Sequence, residues 1–222
     1  MQNPLLLALF ILGICLFAVF YVVSAAFYFR RHKTKYHFYK MFPYEFNYPN
    51  VFRHNVYGNV LLVLACLCVI SFYSLNPLQS IYSTIGIVVS ILTTMLIIVL
   101  LLFPIRYLKA HMVVSCVLMT FGAAGPLFNF FSAYSQLKIV ESDIGSALCF
   151  VSMAISAVLA VSMLLLIINP KLTFKIYMDK TIDEQGNEQL ERPRLIFMAL
   201  SEWWAIFLYF ISPLAVLVLV IL

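Results

Sequence analysis

The stretch PLLLALFILGICLFAVFYVVSAAFYF, residues 4–29, contains 26 residues and no charged side chain. A helix needs about 20 apolar residues to cross the roughly 30 Å hydrocarbon layer of a bilayer. The stretch is therefore long enough to span a membrane. The SAA sequence at residues 24–26 resembles a signal-peptide cleavage site, but the apolar run is too long and lacks a basic segment before it. We expect an uncleaved membrane span.

Five more apolar stretches follow, and they decide the class of protein. The chain is 64% hydrophobic and only 10% charged, whereas about 25% of residues are charged in soluble domains. The apolar runs are continuous rather than alternating, which favours helices over barrel strands. The sequence predicts an all-α integral membrane bundle of six transmembrane helices, in one domain that covers residues 1–222. The predicted spans are residues 4–29, 57–75, 80–103, 110–132, 144–168 and 195–222.

The cysteines all fall inside predicted spans, where cysteine behaves as a small apolar residue. No His or Cys cluster with the spacing of a metal site lies near any of them, and no cofactor motif occurs along the chain. The sequence therefore predicts no metal and no cofactor. The five residues are Cys15, Cys66, Cys68, Cys116 and Cys149.

The basic residues predict how the chain crosses the membrane. The first, third and fifth connections contain every Lys and Arg except Lys138. The positive-inside rule places these three connections in the cytoplasm and both termini on the far side. The run RRHKTKYHFYK, residues 30–40, interleaves cations with aromatic rings directly after a span. This position favours anchoring to anionic lipid over binding to nucleic acid, so membrane lipids are the predicted partners.

Three other features predict local structure. Polar residues flank Gln185-Gly186-Asn187 in the fifth connection, which indicates a short hairpin or a loose turn. Gly122, Gly125 and Pro126 should permit close approach of a neighbouring helix and a kink. Pro213 should kink the last span.

Two ionisable residues lie inside spans, where such groups are costly and often functional. His111 lies about one turn inside the fourth span, and Glu202 lies seven residues after Leu195 in the sixth. At 1.5 Å per residue, Glu202 is roughly 10 Å along its helix from the basic end. The two side chains are therefore predicted at similar depth.

Two interpretations of Glu202 follow. In the first, the carboxylate lies at the headgroup boundary and is neutralised by Arg192, Arg194 or another cation of the loops, while Trp203 and Trp204 are interfacial anchors. In the second, His111 and Glu202 face inward and form a polar pocket beneath the first loop. The further members predicted for this pocket are Tyr44, Asn59 and Arg53.

Three motifs are similar to those of the DRAM (damage-regulated autophagy modulator) family, whose superfamily includes proteins implicated in remodelling the lipid of GPI anchors. The motifs are FPYEFNYP with YGNVLLVLA in residues 42–65, KAHMVVSCVLMTFGAAGPLF at 109–128, and ALSEWWAIFLYF at 199–210. The chain departs from the family pattern at Glu45-Phe46-Asn47, where the family usually has an Asp-Thr-Gly element. The resemblance implies six spans, termini in the cytoplasm and the three motifs on the lumenal face, which is the reverse of the orientation that the charges favour.

Three functions from different classes follow from these patterns. The first is a lipid-associated or regulatory membrane protein without catalytic activity, as the resemblance implies. The second is an intramembrane enzyme of lipid acyl remodelling, with His111 as base and Glu202 orienting it. The third is a small transporter or channel, against which stand the lack of internal repeats and of charges near the middle of the spans. An endomembrane (lysosome, Golgi or ER) or the plasma membrane is the expected location.

Overall fold

A computed structural model of the chain describes residues 4–47, 54–78, 80–102, 107–172, 179–182 and 188–220. Six helices in this part of the chain are long and apolar enough to cross a membrane. The predicted all-α bundle is confirmed, and the molecule is consistent with a multi-pass integral membrane protein. The first five helices are α1 Pro4–His32, α2 Val56–Ser74, α3 Ile81–Leu102, α4 Leu108–Leu137 and α5 Asp143–Ile167.

The sixth span is divided into α6, Phe197–Ile211, and α7, Pro213–Val220. Pro213 has no backbone N–H and cannot donate to the carbonyl one turn earlier, so the helix breaks at Ser212. The interruption falls where a kink was predicted, although Ser212 itself has helical dihedral angles, and the bend stays a prediction. Pro126, by contrast, lies inside the continuous helix α4.

The sixth span is the centre of the bundle. In its most apolar window 67% of the residues are buried inside the protein, against 17% for the first span. Gly122 of α4 permits close contact with α6, because a Cβ atom at this position would lie 3.1 Å from the Cβ of Ala205. Most side chains on α6 are therefore surrounded by protein, and a buried polar group there needs a partner from a neighbouring helix.

The first and fifth connections meet at one end of the bundle, which we call the basic end. The N–H of Ile196 donates to the carbonyl of Tyr39 at 2.9 Å, and the Arg31 guanidinium donates to the carbonyl of Phe46 at 3.1 Å. The first connection contains a 3-10 turn, Pro43–Phe46, that packs at this end. The first and fifth connections therefore lie at one end, as predicted, while residues 103–106 of the third lie outside the described residues. The assignment of the basic connections to the cytoplasm stays a prediction.

The fifth connection carries a small antiparallel ribbon. Strand β1, Asp179–Ile182, pairs with β2, Glu188–Glu191, and Ile182 lies opposite Glu188 at the closed end. The hairpin predicted for this connection is confirmed. Its predicted turn residues, Gln185 to Asn187, lie outside the described residues.

Candidate functional site

The site is built from two helices of the bundle. His111 and Ser115 lie one turn apart in the first turns of α4 and share a face, while Glu202 lies in the second turn of α6. His111 Nε2 is 3.0 Å from Glu202 Oε1, and the Ser115 hydroxyl donates to the same oxygen at 2.6 Å. His111 is 1% exposed and Glu202 is 0% exposed. The second interpretation of Glu202, in which the two residues face inward, therefore describes their arrangement.

The buried pair carries no net charge when it holds a single titratable proton, whether on the imidazole or on the carboxylate. A low-dielectric interior favours such a neutral pair, because an isolated buried charge costs far more. The other carboxylate oxygen, Glu202 Oε2, is buried and has no hydrogen-bond partner among the described residues. An unmet buried acceptor of this kind costs about 1–3 kcal/mol. Glu202 Oε2 can therefore accept a hydrogen bond from one further donor.

The order of contacts limits the chemistry of the site. Glu202 lies between His111 and Ser115, so the serine hydroxyl donates to the carboxylate rather than to the imidazole. In a nucleophilic triad the imidazole lies between serine and carboxylate and removes the serine proton. The observed order does not activate Ser115 as a nucleophile. It holds the carboxylate in place and leaves His111 as the residue suited to accept or donate a proton.

Aromatic rings of the first connection close the site. The rings of Phe42 and Tyr44 meet the His111 imidazole edge to face, at centroid distances of 5.8 and 5.3 Å. Phe42 precedes the 3-10 turn and Tyr44 lies within it. We call residues 42–46 the cover, because Phe42 and Tyr44 pack on His111 at the basic end of the bundle.

The cover is fixed by hydrogen bonds to the neighbouring loop and to α6. The single hydrogen of the Tyr36 hydroxyl is shared between the carbonyls of Phe42, at 2.8 Å, and Met41, at 3.1 Å. The Trp203 indole N–H also donates to the Met41 carbonyl, at 3.0 Å. Burial, and then the nearby charge of Glu45, raise the pKa of Tyr36 well above its usual value, so the phenol stays a donor.

An ion pair ties the cover to the fifth connection. Arg192 Nη1 lies 2.8 Å from Glu45 Oε1 and 3.0 Å from Oε2, and Glu45 Oε1 also accepts the Phe42 N–H at 2.9 Å. Burial alone would lower the pKa of Arg192, but the hydrogen bond and charge of Glu45 outweigh it and raise that pKa. Arg192 therefore pairs with Glu45 and not with Glu202, so its predicted role in neutralising Glu202 is wrong.

The predicted pocket residues have different outcomes. Tyr44 joins the His111–Glu202 pair through its ring. Asn59 lies in the first turn of α2, and its amide oxygen is buried without a hydrogen-bond partner among the described residues. No hydrogen bond within the described part of the chain connects Asn59 to the pair. Arg53 lies outside the described residues.

The two tryptophans have different surroundings. Trp203 is 5% exposed and packs edge to face against Tyr21 and Phe46, so little of its indole is left to face lipid headgroups. Trp204 is half-buried and donates its indole N–H to the Ser162 hydroxyl at 2.9 Å. The role of both tryptophans as interfacial anchors stays a prediction. Trp203 also helps to hold the cover, through its hydrogen bond to the Met41 carbonyl.

Sequence reasoning missed Ser115, Phe42 and the Glu45–Arg192 pair. Ser115 follows His111 by four residues, which is the spacing of one helical face. Glu45 and Arg192 are opposite charges on connections that the basic residues already assign to one side. Each signal was present in the sequence, but a sequence pattern does not show which of several loop cations pairs with which carboxylate.

Among the described residues, no three His, Cys, Asp or Glu side chains come together as a metal site. The five cysteines are free thiols; Cys66, Cys68 and Cys149 are buried, and Cys15 and Cys116 are exposed. The side chains that meet at the site are an imidazole, a carboxylate and a hydroxyl.

Comparisons of the chain with protein-family models, with curated proteins and with solved structures find no match.

Proposed function

We propose that the protein is a lipid-associated membrane protein in which the His111–Glu202 pair receives the polar headgroup of a lipid. The observation that carries this proposal is the buried Glu202 Oε2 without a hydrogen-bond partner among the described residues. Ionisable groups at this depth are expensive and are often retained for function. A headgroup that donates a hydrogen bond to Glu202 Oε2 would give this oxygen the partner that it lacks among the described residues.

Access to the pair requires movement of the cover. Residues 42–46 form a short segment rather than a span, and the ion pair between Glu45 and Arg192 lies at its edge, where the arginine side chain is 40% exposed. Glu45 is buried, but water reaches the arginine end of the pair and can replace it when the segment moves. The contact can therefore open, while the hydrogen bonds of Tyr36 and Trp203 hold the adjoining residues in place.

The chemistry of Glu202 Oε2 predicts which headgroups bind. A carboxylate oxygen accepts hydrogen bonds, so inositol hydroxyls or the ammonium of ethanolamine suit it. The quaternary ammonium of choline has no N–H to donate. The preferred lipids are therefore phosphatidylinositol or phosphatidylethanolamine, with phosphatidylcholine as the non-binding comparison.

Native mass spectrometry of the purified protein with each of these three lipids tests the proposal. Replacing Glu202 by Gln puts an amide in place of the carboxylate and removes a charge-assisted bond of about 1.5–3 kcal/mol, so retention of the donor lipids should fall roughly tenfold or more. Glu141→Gln is the matched control, because Glu141 is exposed at the opposite end. Equal retention of all three lipids by wild type and Glu202→Gln would refute the proposal.

The resemblance to the DRAM family supports the same proposal. The motifs at 109–128 and 199–210 are far apart in sequence, and their polar members His111 and Glu202 meet at 3.0 Å. The motif at 42–49 contributes Tyr44 to the cover. We propose membership of this superfamily and, with it, a place in an endomembrane.

A second candidate function is an intramembrane enzyme that remodels lipid acyl chains. The His111 Nε2–Glu202 Oε1 contact favours it, because a carboxylate that orients an imidazole is the arrangement of many general bases. Incubation of the protein in liposomes with acyl-labelled phospholipid separates the candidates. An enzyme converts the lipid and loses turnover in His111→Ala while it remains folded, whereas a binding protein leaves the lipid unchanged.

A further inference from the structure

Arg192 is the cation at the edge of the cover, and its contact with Glu45 uses only part of its guanidinium. Both carboxylate oxygens of Glu45 meet the same nitrogen, Nη1, at 2.8 and 3.0 Å. The strongest arginine–carboxylate pairs instead use two nitrogens in parallel. Nε and Nη2 of Arg192 have no hydrogen-bond partner among the described residues, and the side chain is 40% exposed. The N–H groups of these two nitrogens are therefore left for another acceptor.

The surroundings of Arg192 are those of a membrane interface. Arg192 lies between strand β2 and helix α6, and the N–H of Ile196 donates to the carbonyl of Tyr39, which brings the first connection beside this segment. Phe38, Tyr39 and Leu195 are exposed. Exposed aromatic and aliphatic side chains beside cations are typical of the layer in which lipid headgroups lie. We therefore expect Arg192 at the level of the lipid phosphates.

A phosphate suits the free part of this guanidinium. Arginine binds phosphate through two parallel N–H···O bonds, and its weakly hydrated, planar cation favours this contact. Nε and Nη2 form such a pair of donors, so a phosphate can bind there while Glu45 still occupies Nη1. The bound phosphate then shares the positive charge of Arg192 and weakens its hold on Glu45.

We propose that Arg192 binds the phosphate of the lipid whose headgroup reaches Glu202, and that this phosphate takes the place of Glu45. The proposal rests on the proposed function, because it names a second contact of the same lipid. The exchange removes the ion pair at the edge of the cover, so the arriving lipid itself opens the cover. Glu45 keeps the Phe42 N–H as a donor when it leaves Arg192, which lowers the cost of the exchange.

Two single variants separate a phosphate ligand from a residue that merely holds the cover closed. Arg192→Gln and Glu45→Gln both break the ion pair, but only Glu45→Gln leaves Arg192 available to a phosphate. The amide oxygen introduced by Glu45→Gln can still accept the Phe42 N–H. Native mass spectrometry then compares phosphatidylinositol with monogalactosyldiacylglycerol, whose sugar ring offers hydroxyl donors without a phosphate.

The two variants should change the ratio of retained phosphatidylinositol to retained galactolipid in opposite directions. Glu45→Gln should raise it up to about fivefold, because the competing anion is gone. Arg192→Gln should lower it roughly tenfold, because a charge-assisted bond is lost. Arg194→Gln, which removes a nearby exposed cation, is the matched control and should change it by less than about twofold.

The ratio is taken within one variant, so a folding defect that lowers the retention of both lipids does not alter it. A change in the same direction in Glu45→Gln and Arg192→Gln would show that Arg192 only holds the cover closed, and the proposal would be wrong. An unchanged ratio in both variants would also overturn it.

Glu202→Gln distinguishes failure of this proposal from failure of the proposed function. It should lower the retention of both lipids and leave their ratio unchanged, because both offer hydroxyl donors to Glu202. If only Arg192→Gln has an effect, the phosphate contact stands and the headgroup site at Glu202 is wrong. If only Glu202→Gln has an effect, the headgroup site stands and the phosphate contact is wrong.

Amide hydrogen exchange distinguishes a lipid phosphate from a free one. In maltoside micelles, which contain no phosphate, phosphatidylinositol should make exchange in residues 42–46 up to roughly fivefold faster, because the cover opens. Inorganic phosphate alone should leave this exchange unchanged. An equal acceleration by inorganic phosphate would assign Arg192 to a free anion and overturn the contact with lipid.

Discussion

The bundle buries polar side chains in two regions, and these side chains find their partners in different ways. Near the basic end, an ionisable pair, His111 and Glu202, joins α4 to the sixth span beneath a closed cover. Toward the other end, neutral groups of Asn129, Tyr73 and Ser212 connect α2, α4 and the sixth span. Buried neutral side chains need only well-placed hydrogen-bond partners, whereas a buried ionisable side chain also needs a partner that neutralises its charge. The charged region is therefore the better candidate for function, and the neutral region for holding the helices.

The largest expected effect comes from breaking the charged pair. Glu202→Ala leaves His111 and Ser115 buried without their shared acceptor, so the free energy of unfolding should fall by about 3–5 kcal/mol. Denaturant unfolding of the purified protein in micelles measures this change. Glu141→Ala, an exposed carboxylate, should change stability by less than about 0.5 kcal/mol. A loss of under about 1 kcal/mol for Glu202→Ala would mean that the pair is not formed.

The double variant His111→Leu with Glu202→Leu sharpens this result. Replacing a buried ion pair by apolar side chains of similar size is often neutral or stabilising. Most of the stability lost in Glu202→Ala should therefore return, while retention of donor lipids should not. Recovery of both properties would indicate that the pair has no role in binding.

The neutral network of Asn129, Tyr73 and Ser212 should contribute less to the free energy of unfolding than the His111–Glu202 pair. Asn129→Leu removes the bonds to the Tyr73 hydroxyl and the Ser212 carbonyl, and hydrogen bonds between membrane helices average about 0.6 kcal/mol each, with a maximum near 1.7. We expect a loss of about 1–2 kcal/mol in the same unfolding measurement. Thr120→Val is the control, because Thr120 is exposed on the same helix and bonds only within it. An Asn129→Leu loss as large as that of Glu202→Ala would remove the distinction between the two regions.

Breaking the Glu45–Arg192 ion pair should change the free energy of unfolding less than the variants above. Its main effect should be on how often the cover opens. Arg192→Ala should cost about 1 kcal/mol, because water can replace the partly exposed arginine while Glu45, which is 7% exposed, keeps the Phe42 N–H as a donor. Amide hydrogen exchange in residues 42–46 should become up to roughly fivefold faster, as the cover opens more often. Lys35→Ala removes an exposed cation from the same connection and should leave this exchange unchanged. Equal exchange in both variants would show that the ion pair does not hold the cover.

Apolar runs were enough to predict the helices, and proline positions were only partly informative. Uninterrupted apolar length predicted six helices, and the last one is interrupted next to Pro213, where a kink was expected. Pro126, where a kink was also expected, lies inside a continuous helix. The matching depths of His111 and Glu202 followed from counting residues at 1.5 Å each. The helices and these depths depend on local sequence alone, which is why the structure agrees with them.

The details of the site depend on contacts between distant segments, and these were not predictable. Glu202 had several basic candidates in the loops, and only the packing shows that Arg192 belongs to Glu45 instead. Trp203 stands in a sequence typical of an interfacial belt, yet its indole donates into the loop that covers the site. Aromatic residues suit both environments, so composition does not distinguish them.

The last prediction concerns which side of the membrane the charged region faces, and it involves no change in stability. The charge distribution places the basic end in the cytoplasm, whereas the DRAM resemblance places it in the lumen. In a cysteine-free variant, single cysteines replace Lys35 and Glu141, which are exposed at opposite ends of the bundle. A membrane-impermeant thiol reagent added to sealed microsomes, whose outer face is the cytoplasmic one, should label only the cysteine at 35. Labelling at 141 alone would reverse the orientation. The cover would then open toward the exoplasmic leaflet, and the lipids of that leaflet would become the ones that reach Glu202.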